Sequence, residues 1–152
     1  MKRMIVLLMV VAGSGLGSPW WFAAGLQADF LARGFSFRVF NSSGVGVHLV
    51  GHSLTIGRNI EHLYALRVEK MFLLARRVRP YIGLGAGISI PEDRSAIGLG
   101  GMLGVDLLLL ESKKSVDNNP SHGLALNLEI LTGSFPSGWI GPGAGVGVHY
   151  NW

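Results

Sequence analysis

The sequence predicts an all-β fold: an eight-stranded antiparallel transmembrane up-and-down β-barrel, preceded by a signal peptide. Three observations lead there. Apolar residues recur at every second position through eight separate segments, the period of a strand and not of a helix. The face opposite them is built largely of glycine, which supplies 23 of the 152 residues. Charged residues are 14% of the chain, against roughly 25% in an ordinary soluble domain, and mean hydropathy is +0.40. That length suits one domain.

The first element is the export signal. Lys2 and Arg3 precede an apolar run from Met4 to Ala12, and the small-residue stretch "GSGLGS" follows before Pro19. This is the order of a secretory signal, and the run is shorter than the about 20 apolar residues that a spanning helix needs. Residues 1–18 are therefore expected to be a signal peptide, cleaved after Gly17 or Ser18, and 19–152 the barrel. After residue 18 the longest apolar stretch, Ala96 to Leu110, is again short and carries Asp106.

The strands follow in order. In the first, Phe22, Ala24, Leu26, Ala28 and Phe30 share a face opposite Gln27 and Asp29. In the second, Phe35, Phe37 and Val39 alternate with Ser36 and Arg38; the turn "NSSG" comes next, and then Val45, Val47 and Leu49 alternate with Gly46 and His48. A fourth strand, Asn59 to Glu69, sets Tyr64, Leu66 and Val68 against Glu61 and Arg67. The fifth places Pro80, Ile82, Leu84, Ala86, Ile88 and Ile90 opposite Tyr81, Gly83, Gly85, Gly87 and Ser89. After "PEDRS", Ile97, Leu99, Leu103, Val105, Leu107 and Leu109 oppose Gly98, Gly100, Met102, Gly104 and Asp106. The polar stretch "ESKKSVDNNPSH" separates these from Leu124, Leu126, Leu128 and Ile130, set against Asn127 and Glu129. "GSFPSG" leads into the last strand, which ends "GAGVGVHYNW".

A glycine-rich face is poor covering for a water-exposed surface. It suits a narrow lumen, where small residues leave room for large ones reaching across, and an eight-stranded barrel is just wide enough to be filled by side chains. The apolar face then looks out at lipid, and closure is required because an open edge would leave unpaired backbone groups in hydrocarbon. Trp20, Trp21, Phe22, Tyr150 and Trp152 are expected at one rim and Phe30, Phe35, Phe135 and Trp139 at the other, as two aromatic girdles.

From Trp20 to Trp152 the chain resembles the small eight-stranded outer-membrane β-barrel superfamily. The most specific match is the terminal strand, where Val146, Val148, Tyr150 and Trp152 alternate up to a final aromatic. The resemblance implies that the β-barrel assembly machinery reads this strand, that both termini are periplasmic and that the mature protein is a monomer in outer-membrane lipid. It also implies outer connections at "LARG", "SLTIGRN", "PEDRS" and "GSFPSG". These are all short, which disfavours an adhesin or receptor; the longer "MFLLARRV" and "ESKKSVDNNPSH" fall on the periplasmic side.

The lumen face is expected to hold Asp29, Arg38, Glu61, Arg67, Arg79, Asp106 and Glu129, with His48 and His149 nearby. Charges in a low-dielectric interior must pair, so the first expectation is a salt-bridge plug and a structural, envelope-integrity role without catalysis. A proton path or narrow pore through the same groups is the functional version. A lipid A-modifying enzyme, as some such barrels are, is the other alternative. It rests on His52, Ser53 and Glu61 approaching across a hairpin, although adjacent strand residues point to opposite faces. No cofactor is expected. Cysteine is absent, five scattered histidines lack metal-ligand spacing, and "GLGGMLG" repeats at the period of a strand and does not open a helix as a phosphate loop does. The net charge of +4 forms no stripe, its densest group being Arg76, Arg77 and Arg79, so no nucleic-acid partner is expected. "MFLLARRV" reads equally as an interfacial segment or as an extension of the fourth strand.

Overall fold

A computed structural model of the chain describes residues 20–29, 33–56, 59–72, 77–90, 96–113, 122–135 and 138–152. Eight strands close into one antiparallel barrel in chain order: β1 (Trp21–Ala28), β2 (Arg33–Phe40), β3 (Val45–Ile56), β4 (Asn59–Met71), β5 (Val78–Ile90), β6 (Ala96–Lys113), β7 (His122–Phe135) and β8 (Gly138–Asn151). Residues 1–18, where the export signal is expected, lie outside the described residues.

Closure joins the first strand to the last. β1 pairs with β8 from Ala23 opposite Asn151 to Ala28 opposite Val146. The seam continues as Phe22 and Trp152 exchange both backbone bonds, at 3.1 and 2.9 Å. The turn between β2 and β3 shows why "NSSG" reverses the chain. Asn41 Oδ1 accepts from the Ser43 and Val45 amides, each at 3.0 Å, a side chain standing in for backbone. Gly44 takes φ +78, where a Cβ would meet the Met71 carbonyl oxygen at 2.2 Å.

Several strands outrun their apolar stretches, because backbone pairing is indifferent to side-chain polarity. "SLTIGRN" was expected as a connection, yet β3 runs on to Ile56; β4 starts at Asn59, where the fourth strand was expected. Likewise β7 and β8 consume most of "GSFPSG", and β6 carries the first residues of "ESKKSVDNNPSH" to Lys113. Pairing of β6 with β7 slips between Leu108 and Leu110, and this bulge leaves Leu109 and Leu110 both exposed while Leu108 is buried.

The two faces are inverted relative to a water-soluble barrel. Leu84, Leu103 and Ile130 are 72%, 61% and 65% exposed on the outer wall, whereas Arg38, Arg67 and Arg79 are buried inside at 1%, 0% and 1%. Interior volume is shared by complementarity across the ladder: Gly83 lies opposite Glu69, Gly85 opposite Arg67, and Gly104 opposite Tyr81. A Cβ on Gly104 would come within 2.3 Å of the Tyr81 ring, and one on Gly85 within 2.9 Å of Arg67 Cγ.

Trp21 departs from its expected place in a rim girdle. It has the parity of Ala23, not of Phe22, and so points inward, buried and stacked on Phe40 at 4.4 Å and 11°. With Ala23, Met71, Tyr81, Met102 and Leu131 these two rings form one apolar cluster of the interior, and Val50 and Ala65 form a second. Outside, Phe22, Phe37, Tyr150 and Trp152 gather into a ring-to-ring cluster beside the seam, with centroids 6.3 to 6.5 Å apart. Phe35 is exposed towards the opposite end of β2. Phe30 and the side chains of Phe135 and Trp139 lie outside the described residues.

Candidate functional site in the barrel interior

Alternation along each strand carries the polar residues inward: Ser36 and Arg38 on β2, His48 on β3, Arg67 and Glu69 on β4, Arg79 and Tyr81 on β5. Asp106 on β6, Asn127 and Glu129 on β7 and His149 on β8 complete the set, all of them buried. Closure then brings together groups far apart in sequence.

Arg38 is the hub. Its Nη2 donates to Asn127 Oδ1 and lies 3.5 Å from Glu129 Oε1 and 3.7 Å from Glu69 Oε2; its Nη1 is 3.8 Å from Asp106. The Tyr81 ring sits beneath the guanidinium, 5.3 Å from centroid to Cζ. Arg67 is the second anchor, with Nη1 donating to both Glu129 oxygens at 3.1 and 3.3 Å and Nη2 to Asp29. Glu129 also accepts from the Tyr81 hydroxyl at 2.6 Å, and Asn127 Nδ2 donates to Asp106 at 3.1 Å. Arg79 pairs with Asp106 and stands over the Trp21 ring at 5.6 Å. Three guanidinium groups thus face four carboxylates, and the pairs staple Asp29, just past the end of β1, and strands β2, β4, β5, β6 and β7 across the interior.

A second chain of contacts runs through the histidines. Ser36 Oγ lies 2.9 Å from His48 Nε2 and also hydrogen-bonds His149 Nε2. His48 Nδ1 lies 2.7 Å from Glu69 Oε1 and 3.2 Å from Arg38 Nε. One ring nitrogen either donates or accepts, so His48 serves the carboxylate or the guanidinium, not both at once.

Of the residues named from sequence, Asp29, Arg38, Arg67, Arg79, Asp106 and Glu129 fall into this network. The Glu61 side chain lies outside the described residues; its backbone pairs with Leu54. Glu69 was missed as a lumen acid, although its parity with Arg67 on the fourth strand carries the signal. Ser36, Tyr81 and Asn127 were placed on the inner face, but nothing local announces their partners. The side chains of His52 and Ser53 also lie outside the described residues, and the register sets Ser53 opposite His62. Val146, Val148 and Tyr150 occupy the outer wall of β8, exposed, with Trp152 just beyond it.

Ligand-type atoms of His48, Glu69 and Glu129 lie within 4.8 Å of one another. The same two carboxylates face Arg38, and Glu129 faces Arg67 as well, so cationic side chains already hold the place a metal ion would take. No protein-family model matches the sequence, and no curated protein is significantly similar to it.

Proposed function

We propose that the chain is a transmembrane barrel of the outer-membrane type, with a side-chain-filled interior and a structural role in the envelope. The observation that carries this reading is the inversion of faces: leucine and isoleucine outside, ion-paired arginine inside. Water outside such a wall would leave a continuous apolar band unburied; hydrocarbon removes that cost, and a closed barrel satisfies every backbone pair that hydrocarbon demands. The dimensions agree. From Ile97 to Leu109 the outward row on β6 is about 40 Å long at ~3.3 Å per residue, which a tilt of about 40° reduces to a height of about 30 Å, close to the hydrocarbon thickness.

The paired interior supports a plug over a conducting path. Outer-membrane lipid is then the immediate partner, and Val146, Val148, Tyr150 and Trp152 form the strand offered to the assembly machinery. The test is fractionation of cells expressing the full chain, with migration of boiled and unboiled samples compared on a detergent gel. A heat-modifiable band in the outer-membrane fraction is the expected result. A monomer stable in plain buffer overturns the reading, and large stable conductance of the purified barrel in a planar bilayer overturns the plug.

A further inference from the structure

We propose that Ser36 is a nucleophile activated by His48 and Glu69, an acyl-transfer centre inside the barrel that accepts small esters. This goes beyond the structural role, and it requires the closed barrel but not its location. The contacts run in the order such chemistry needs: serine oxygen to imidazole Nε2 at 2.9 Å, then imidazole Nδ1 to carboxylate at 2.7 Å. In the tautomer that donates from Nδ1 to Glu69, and so does not accept from Arg38 Nε, the base reaches the nucleophile through one nitrogen and is oriented by an acid through the other. All three side chains stand on paired strands, β2, β3 and β4, so their separation is set by the ladder and not by a loop.

Two further observations point to a guest beside Ser36. The Gln27 amide is buried with no hydrogen-bond partner on either its nitrogen or its oxygen, and His149 Nδ1 lacks one too. Buried polar groups left without partners are costly, so a polar occupant here is favoured. Gln27 pairs with Gly34 and Ser36 with Gly25, which makes Gln27 a diagonal neighbour of Ser36 on the inner face, within reach of a long side chain.

In the step itself, Ser36 Oγ attacks the ester carbonyl carbon while its proton passes to His48 Nε2. The Gln27 amide N–H faces the carbonyl oxygen as charge develops there. The bond to the leaving alcohol breaks, and that alcohol takes the proton from His48. Water then attacks the acyl-serine by the same route, releasing the acid and restoring Ser36, so that ester and water become acid and alcohol. Enclosure restricts the acyl group to a short one.

The full chain, folded in detergent micelles and checked by its heat-modifiable band, is treated with diisopropyl fluorophosphate and mapped by mass spectrometry. The expected adduct is on Ser36, in the folded barrel and not in the boiled chain. His48→Gln is expected to slow labelling at least a hundredfold and Glu69→Gln at least tenfold, with p-nitrophenyl acetate hydrolysis falling in parallel; Ser43→Ala, in the exposed turn, leaves both unchanged. Should the variants not fold, the unaltered barrel decides alone. A heat-modifiable barrel whose Ser36 stays unmodified in excess reagent, or that labels at another serine, overturns the proposal. A chain with no heat-modifiable band overturns the barrel reading itself.

Discussion

Replacing Leu103 by arginine sets two environments of the outer wall against each other. Leu103 is the midpoint of the outward row from Ile97 to Leu109, flanked by Ile82 on β5 and Ile130 on β7. At ~3.3 Å per residue it stands about 20 Å along the strand from either end of that row, or about 15 Å of height at a tilt near 40°. An arginine there has no interface within reach. In a bilayer the substitution is expected to cost about 2–4 kcal/mol, falling to about 0–1 kcal/mol for Leu109→Arg at the end of the row. On a water-facing surface both changes would stay within about 0.5 kcal/mol. A loss of ~3 kcal/mol is a factor of roughly a hundred in the folded-to-unfolded ratio. Urea titration of the chain folded into phospholipid vesicles, with the folded fraction read from the heat-modifiable band, resolves that easily. Equal midpoints for Leu103→Arg and the unaltered barrel would refute lipid contact along this wall.

The interior yields three more expectations, read by the same titration. Arg67→Met removes a guanidinium from Glu129 and Asp29 and is expected to cost about 3 kcal/mol, the lower end for breaking a buried pair, because Glu129 keeps the Tyr81 hydroxyl and Arg38. A loss under about 1 kcal/mol would mean that the network does not hold the barrel. Gly104→Ala drives a Cβ into the Tyr81 ring and is expected to cost about 1–3 kcal/mol by overpacking; a neutral outcome would contradict the glycine-for-bulk arrangement. Trp21→Ala vacates the stack on Phe40 and is expected to cost about 3–5 kcal/mol, which a ring at the lipid surface would not show.

Alternation was legible because a pleat with period two writes each face directly into the sequence. It set Arg38, Arg67, Asp106 and Glu129 on the side opposite the leucines, and the structure has them there. Trp21 and Glu69 were equally readable by parity; aromatic clustering at a strand start obscured the first, and the second stood at the very end of the expected fourth strand. The bulge at Leu108 to Leu110 was not readable, since one extra residue in a run of four leucines leaves no mark in composition. Strand ends were also opaque beyond the apolar band, as in β3 and β4, where the ladder continues through polar residues.

The sequence by itself determined the number of strands, their order and which residues share a face, because these depend on neighbours two positions apart. Tertiary structure alone decided the partners. Arg38 meets Asn127 across 89 residues and Ser36 meets His149 across 113, and only the seam between β1 and β8 brings such positions into contact. The reason is geometric: a strand pattern records the direction in which each side chain points, while the distance across the lumen exists only once the sheet has closed.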